Sequence, residues 1–516
     1  MENRATRIWR TTLIGLLILG IGYRFYAVAT WKTSLSNDES VSYMCAAATA
    51  GIWETHIAGM VNTPITVADI QRFYDRPEAF DFGTVSMDMA MYDVHPPLYF
   101  WLLHSIHVLW GTGPATGAYL NILFGILALL LVSKLARGVL PGPNAPLVAA
   151  VVWYLSPAAA QIDLEARPYQ LLTLLALASY LLGQRVINST PSRTVWTGFI
   201  VVNMLGLLTH LYFPFLLLPG MALVFWKHGT GRRTGLYLTS LVISTIGMLL
   251  LYPEFITFLT SYGDRPRDMP EPVRSIERLK GVFYASMQFF TEGHRMRYLF
   301  LLLCTIAGGL AIWWGRHGAR RSWAGVGIVR ASFLVTFGWW AFFTVALFLI
   351  GVSPSQAVGE QYFAYLWPFA AIGCTALLAV LTDQRWRRIL LGLYLIQLIP
   401  AFIQGVRGSE YLVPAIPSEW NPVMSQSDLL ITDEAKRTAL PRISRHLPGD
   451  LSLYIMGRER PDLTDKDRVV FLHLDIQSRP SGPFVDWMST QGFDVLGDIR
   501  TSDRYELRSF ARHDQR

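Results

Sequence analysis

The sequence predicts a mainly α-helical, polytopic membrane protein with about eleven transmembrane helices and a small extracytoplasmic α/β domain at its C-terminus. Three observations lead to this fold class. The mean hydropathy is +0.33 and only 16% of the 516 residues are charged, which is too apolar for an ordinary soluble protein. Apolar segments recur along the first 400 residues, and the composition changes after about residue 408.

Eleven apolar segments are found with a window of roughly 19 residues. They lie near residues 8–29, 117–133, 145–160, 168–183, 195–211, 212–226, 234–252, 298–314, 331–350, 361–381 and 389–405. The first has the basic start of a signal peptide but lacks a small-residue cleavage site, so we expect an uncleaved first span.

The distribution of positive charge predicts the orientation of these spans. Six of the connecting segments together hold 17 Lys or Arg residues against only Glu2 and Asp383, and by the positive-inside rule they face the cytoplasm. The N-terminus is then cytoplasmic, and loops 30–116 and 253–297 and the C-terminal region are extracytoplasmic. We expect a multi-pass protein of the cytoplasmic (inner) membrane, whose net charge of +7 reflects these loops and not a nucleic-acid surface.

Two regions differ from this pattern. The stretch 97–110, in "HPPLYFWLLHSIHVLWG", is apolar over only about 14 residues, which is short for a span. Counting it as a span would place the arginine-rich loops outside, so we expect a helix at the outer interface. Residues 408–516 contain short apolar segments typical of strands, "DLLIT", "LSLYIM", "RVVFLHLD", "FDVLGDI" and "RYELRSF". The predicted domains are therefore 1–407 and 408–516.

Polar residues from distant parts of the chain fall on the predicted outer side. Ionisable side chains at the depth of the membrane are energetically costly and tend to occur at functional sites. The candidates are Asp38 and Glu39 in "SNDES", His95 in "HPP", Glu165, Arg167 and Tyr169 in "DLEARPYQ", His210 in "THLYF" and Tyr362 in "GEQYF".

Each candidate also has a purely structural interpretation. Ser36 and Glu39 have the S-x-x-E spacing of a helix capping box. Glu165 and Arg167 could form a plain interfacial ion pair, or Arg167 could extend toward lipid headgroups. His210 could be a buried polar residue bonded to a neighbouring helix. These alternatives stay open from the residues alone.

The order of the motifs resembles the GT-C class of membrane glycosyltransferases. The matching features are "NDES" after the first span, "HPPLYFWLLHSIHVLWG", "EARPYQLLTLLAL" and "THLYFPFLLLP". They are similar to the branch that contains protein O-mannosyltransferases, aminoarabinose transferases and RgtA/B/C/D-like proteins. The resemblance covers about residues 8–405. In "GEQYFAYLWPF", Gln361 stands where many relatives have Arg.

The resemblance implies an inverting transferase, which moves a hexose or pentose from a polyprenyl-phosphate donor to a lipid, glycan or protein acceptor at the outer membrane face. Asp38 is the implied base, with Glu39 as its partner or an orienting group. Arg167 is the implied phosphate ligand, because Arg offers a bidentate fork. Alternative phosphate ligands are Arg265, Arg267, Arg295 and Arg297.

A divalent metal ion is used by some relatives, and Glu39, His95 and His210 are its candidate ligands here. The sequence has no tight ligand spacing such as H-x-x-x-H, so metal dependence stays open. The main alternative from another class is a lipid or glycan transporter or flippase without transferase activity. That class predicts ionisable groups at mid-bilayer and matching halves, whereas here the charges gather at one predicted face.

Overall fold

The computed structural model describes a chain made of two compact units. The first unit contains Met1–Thr30, His95–Tyr99 and Gly117–Ser409, and the second contains Trp31–Val94, Phe100–Thr116 and Glu410–Arg516. The described residues are 4–75, 78–140, 142–189, 191–264, 360–381, 384–409, 411–412, 416–433, 439–474, 481–501 and 505–513. The predicted spans 298–314 and 331–350, and Arg265, Arg267, Arg295 and Arg297, lie outside them.

The described part is mainly helical. In chain order its helices are α1 (Arg4–Trp31), α2 (Asn37–Ala46), α3 (Ala50–Met60), α4 (Val67–Gln71), α5 (Phe82–Tyr92), α6 (Leu98–Trp110), α7 (Thr116–Val139), α8 (Ala145–Tyr154), α9 (Pro157–Leu164), α10 (Tyr169–Asn188), α11 (Arg193–Leu207), α12 (Phe213–His228), α13 (Arg232–Leu251), α14 (Phe255–Asp264), α15 (Trp367–Leu381), α16 (Gln384–Arg407), α17 (Asn421–Ser425), α18 (Ala439–Ser444) and α19 (Gly482–Thr490). Short 3-10 helices lie at Arg72–Tyr74, Glu360–Leu366 and Ser418–Trp420.

Several helices are suited to crossing a bilayer. Among the described residues, α1, α7, α10, α13 and α16 are long and apolar enough to do so. The pair α8 and α9 passes the same test together but is bent by 59°. The described residues thus provide five or six candidate spans, judged by length and composition. The predicted spans 195–211, 212–226 and 361–381 coincide with shorter apolar helices.

The bend between α8 and α9 lies within the span predicted at 145–160. Ser156 is extended and accepts a hydrogen bond from the backbone N–H of Ala159 at 3.2 Å, which caps α9. Pro157 follows as the first helical residue, where its missing N–H does no harm. Because the residue before a proline is pushed out of the helical region, the α8 helix cannot continue into α9.

The second unit contains a mixed β-sheet. Its strands are β1 (Pro64–Thr66), β2 (Leu429–Thr432), β3 (Ser452–Ile455), β4 (Arg468–His473), β5 (Phe493–Val495), β6 (Arg500–Thr501) and β7 (Glu506–Arg512). The order is β1-β3-β2-β4-β7-β5, with β6 paired to β7. Strands β3, β2 and β4 are parallel and the other pairs are antiparallel.

The five predicted strand segments overlap β2, β3, β4, β5 and β7. β2 is buried along its whole length, as expected for an inner parallel strand. The structure adds β1, which comes from the first outer loop and pairs with β3, Ile65 lying opposite Leu453. Residues of that loop therefore share a sheet with the C-terminal region. A separate domain with a boundary at 407/408 stays a prediction.

Candidate functional site

A four-residue break between α9 and α10 holds Arg167. α9 ends at Leu164, and Pro168 precedes α10, so residues 165–168 leave the helical path. The carbonyl groups freed by the break are satisfied by Asn121 of α7. Its amide nitrogen donates to the carbonyl oxygens of Glu165, of Ile162 at 3.3 Å and of Arg167 at 3.1 Å.

The break places Arg167 in a cluster with three ring side chains, those of His95, Tyr169 and His210. We call these four residues the Arg167 cluster. All four side chains are buried. The His95 and His210 ring centroids are 4.9 Å apart, and the Tyr169 ring lies 5.9 Å from His95 and 5.5 Å from His210. The predicted candidates from three distant parts of the first unit thus come together.

Two hydrogen bonds orient the histidines of this cluster. A terminal guanidinium nitrogen of Arg167 lies 3.3 Å from Nδ1 of His95. The backbone N–H of Tyr212 donates to Nδ1 of His210 at 3.0 Å. The segments that carry the two histidines are also joined directly, because the N–H of Leu98 donates to the carbonyl of Leu208 at 2.9 Å.

The structure narrows the interpretations of the neighbouring candidates. Arg167 is buried against His95, so an extension to lipid headgroups does not describe it. Glu165 is also buried, and its carbonyl accepts from the backbone N–H of Arg167 at 2.8 Å. Tyr362 lies in the 3-10 helix Glu360–Leu366, which contacts α9 and α10; its side chain is outside the described part.

A buried ion pair fixes α9 against the first span. The Arg24 Nε lies 2.7 Å from the Asp163 Oδ2, and both side chains are fully buried. Arg24 also donates to the carbonyls of Gly20 and Tyr154, and its guanidinium lies 4.0 Å from the Tyr154 ring centroid. A Cβ on Gly125 of α7 would lie 2.6 Å from an Asp163 oxygen, so this close approach requires glycine.

Sequence reasoning did not identify Asn121, Arg24 or Asp163. Arg24 and Asn121 are polar residues within predicted apolar segments, and Asp163 lies between two such segments; a polar residue in such a position needs a partner. The sequence does not show which partner, because the paired residues are 41 to 139 positions apart along the chain.

In the second unit, the adjacent carboxylates Asp38 and Glu39 at the N-terminus of α2 lie in different environments. The predicted capping box is present: the Glu39 N–H donates to the Ser36 Oγ at 3.2 Å, and the Ser36 N–H donates to the Glu39 Oε2 at 2.7 Å. The other Glu39 oxygen accepts from the Lys32 Nζ at 2.8 Å. Glu39 is fully buried, whereas Asp38 is exposed.

The environment of α2 suits an ionised carboxylate at Asp38. Asp38 is the second residue of the helix, and the positive end of the helix dipole stabilises a negative charge there. The helix is held from its other side, since the Ser40 hydroxyl bonds the Tyr74 hydroxyl at 2.6 Å. Burial raises the pKa of Tyr74 to about 12, so this phenol keeps its proton at neutral pH.

The candidate metal ligands do not fit a metal ion. Both carboxylate oxygens of Glu39 accept hydrogen bonds, one of them from a buried ammonium group. Nδ1 of His95 and Nδ1 of His210 each face an N–H donor. No set of three or more His, Cys, Asp and Glu side chains within the described residues is arranged to hold a metal.

Comparison with known proteins gives matches at the level of structure. The sequence matches no protein-family model, and no curated protein is significantly similar to it. ArnT from Cupriavidus metallidurans matches in its apo state, with 14% identity and a TM-score of 0.51, and in its form bound to undecaprenyl phosphate, with 13% identity and a TM-score of 0.54. Both alignments cover 96% of this chain and 98% of ArnT.

A lower TM-score of 0.44, at 12% identity, relates the chain to the archaeal oligosaccharyltransferase AglB from Archaeoglobus fulgidus, over 85% of this chain and 65% of AglB. ArnT, the aminoarabinose transferase, has the GT-C fold. The match over almost the whole of both chains shows that this chain has the same fold. With its apolar helices, it is a multi-pass membrane protein.

Proposed function

We propose that the protein is an inverting glycosyltransferase that moves a sugar from a polyprenyl-phosphate carrier to an acceptor outside the cytoplasm. The observation that carries the proposal is the buried Arg167 cluster at a helix break within a GT-C fold. Buried ionisable groups in membrane proteins usually line substrate paths or sites. ArnT, which has this fold, has been solved with undecaprenyl phosphate bound, and this supports a carrier of the same kind here.

Arg167 is the proposed ligand of the carrier phosphate. A guanidinium group presents several N–H donors in a plane and matches two phosphate oxygens at once. His95, His210 and Tyr169 pack around it and would add hydrogen-bonding groups to the same anion. Glu165 and Tyr362 are proposed to contact the substrate from the adjoining segments, as the resemblance implies.

Asp38 is the proposed base. The acceptor hydroxyl attacks the anomeric carbon opposite the phosphate, and a new C–O bond forms while the bond to the phosphate oxygen breaks. The electron pair stays on the phosphate, and Asp38 takes the hydroxyl proton. A phosphate ester has a good leaving group, so no acid is needed of the kind that glycosidases use. Cationic donors at the phosphate instead stabilise the charge that develops there. Glu39 orients α2.

The sugar is a hexose or pentose and the acceptor is a lipid, glycan or protein hydroxyl in this proposal. The orientation follows from the positive-inside rule, with a cytoplasmic N-terminus and an extracytoplasmic C-terminal region in the inner membrane. Reporter fusions at the two termini test the orientation. An active periplasm-dependent reporter at the N-terminus would reverse it.

The transferase proposal is tested with the purified full-length protein and a panel of radiolabelled polyprenyl-phosphate sugars, with candidate acceptors added. The wild type is expected to release the sugar from one donor. A flippase would leave every sugar on its carrier, and that outcome would reject the proposal.

Two variants test the roles. Asp38→Asn should slow transfer about 100-fold or more, because a general base contributes about 10² to 10⁴. Asp486→Asn, at an exposed carboxylate of α19, is its control. Arg167→Lys should weaken binding of the polyprenyl-phosphate sugar about tenfold, because an ammonium group cannot bind two phosphate oxygens as the planar guanidinium does. Arg185→Lys, at an exposed arginine near the other end of α10, should not. Full transfer by Asp38→Asn would reject the base assignment alone.

A further inference from the structure

We infer that the surroundings of His95 and His210 hold both imidazoles in the Nε2–H tautomer. The pair then acts as hydrogen-bond donors to an anionic oxygen and not as ligands of a metal ion. The inference rests on the proposed function only where it identifies the anion as the carrier phosphate. The tautomers follow from the hydrogen bonds themselves.

The partner of His95 fixes its tautomer. A guanidinium group has only donors, so the Arg167 nitrogen at 3.3 Å can contact Nδ1 favourably only if Nδ1 offers its lone pair. The single proton of the neutral imidazole must then lie on Nε2. The ring is also held in place by Tyr169, whose ring is almost perpendicular to it at 86°.

His210 reaches the same state through a different partner. The backbone N–H of Tyr212, at 3.0 Å from Nδ1, is always a donor. This bond joins residues two apart in the chain, so it forms wherever the local turn forms. The Tyr169 and Tyr212 rings, with centroids 5.5 Å and 4.7 Å from that of His210, hold the imidazole plane.

In this arrangement the imidazole proton lies on the nitrogen that a metal ion would need. A histidine that binds a metal through one nitrogen normally donates its other N–H to a carbonyl or carboxylate. Here, metal binding through Nε2 would move each proton to Nδ1, where it would face the N–H of Arg167 or Tyr212. Each buried bond would become a contact between two donors. The Arg167 charge would also repel the metal ion.

The same arrangement suits an acceptor. The two imidazole centroids are 4.9 Å apart, and Arg167 contacts one of the rings directly. Two Nε2–H groups and a guanidinium form a set made up of donors, which matches a ligand made up of acceptors. A phosphate group meets this requirement with its oxygens, and charge-assisted hydrogen bonds make the match strong.

His104 provides an internal control with the opposite tautomer. Its Nδ1 lies 2.6 Å from the carbonyl oxygen of Ala46, which can only accept. The proton of His104 is therefore on Nδ1. Like His95 and His210 it is buried, so a difference between them reports the hydrogen-bond partner and not burial.

The tautomers are measured by magic-angle-spinning NMR of full-length protein labelled with ¹³C and ¹⁵N histidine in liposomes. Signals are assigned by their loss in His95→Gln, His210→Gln and His104→Gln. The expected result is a proton on Nε2 for His95 and His210 and on Nδ1 for His104. A proton on Nδ1 of either His95 or His210 would overturn the inference. This experiment needs no transfer activity, so its outcome is separate from that of the proposed function.

Metal binding is measured on the same preparations with Zn²⁺ and Mn²⁺ by titration calorimetry and metal analysis. The wild type and the His95→Gln/His210→Gln variant are expected to bind the same amount. A stoichiometric ion that is lost in the double variant would refute the inference.

Anion binding is measured with undecaprenyl phosphate in nanodiscs. His95→Leu should weaken it about tenfold, as expected for the loss of one donor to a charged group. His95→Gln should lose less affinity for undecaprenyl phosphate, because its side-chain amide places an N–H at a distance from the backbone similar to that of Nε2. Equal losses in the two variants would contradict a donor role.

Discussion

Removing the negative charge of Glu39 should lower the stability of the protein, whereas removing that of the adjacent Asp38 should mainly slow sugar transfer. Glu39→Gln keeps the size of the side chain and an oxygen that can still accept from the Ser36 N–H. It removes the negative charge beside Lys32, whose Nζ is 2.8 Å away and whose side chain is fully buried. Asp38→Asn instead changes an exposed side chain.

The magnitudes follow from these surroundings. A buried charge left without its counter-charge costs about 3–5 kcal/mol, so Glu39→Gln should lower the free energy of unfolding by about that amount. Asp38→Asn weakens the favourable interaction of an exposed charge with the helix dipole, which contributes about 0.3–1 kcal/mol. The double variant Lys32→Met/Glu39→Gln removes both charges. It should recover most of the stability lost in Glu39→Gln, although the bond from Lys32 to the Tyr411 carbonyl is lost.

The assay combines an unfolding midpoint in denaturant with sugar transfer, both on purified protein. Glu39→Gln should be destabilised, and the double variant should regain stability and much of the transfer rate. Asp38→Asn should stay folded and transfer the sugar about 100-fold or more slowly than the wild type. The reasoning is refuted if Glu39→Gln unfolds like the wild type, or if Asp38→Asn is the less stable of the two.

Three further predictions concern buried or coupled polar groups. Asp163→Leu should destabilise the protein by about 3–5 kcal/mol, and Arg24→Leu/Asp163→Leu by less than the sum of the single variants, as a double-mutant cycle in denaturant measures. Asn121→Leu removes the amide that donates to the carbonyls of Glu165 and Arg167, so residues 165–168 should shift and the affinity for the sugar donor in the transfer assay should fall. Burial alone would raise the pKa of Glu506, but hydrogen bonds from Arg508 and Ser481 and the charges of Arg508 and His473 outweigh it and lower the pKa. The stabilisation by Glu506 is then present above its unfolded pKa of about 4.3 and is lost as the pH falls through the lowered value, so wild type and Glu506→Gln should converge in unfolding midpoint on acidification.

The sequence predicts the elements whose signal is local. α1, α7, α10 and α13 coincide with apolar segments of the expected length, because a membrane span must be apolar along its whole length. The strands of the C-terminal region are also recognisable, since buried parallel strands are short runs of apolar residues between turn residues. The capping box at Ser36 is readable for the same reason: its partners are three residues apart.

Features that depend on partners far along the chain are not readable in this way. β1 is three residues long and is a strand because β3 supplies its hydrogen bonds. The bend at Ser156 is hidden within a run of apolar residues whose composition is that of one straight span. The contacts of Asn121 with the carbonyls after α9 form only when α7 packs against this part of the chain.

The direction of the hydrogen bonds in the first unit links its stability to its chemistry. A polar group buried among apolar helices is costly unless it is partnered. At the helix break the backbone exposes carbonyls, which are acceptors, and Asn121 supplies the donors. At the Arg167 cluster the relation is reversed: Arg167 and the Tyr212 N–H are donors, and Nδ1 of each histidine is the acceptor that satisfies them. Each of these bonds directs the remaining imidazole proton to Nε2, so the bonds that make burial tolerable also determine that the cluster offers donors. A donor set of this kind selects an anion for its ligand, which is the property that a site for a lipid phosphate requires.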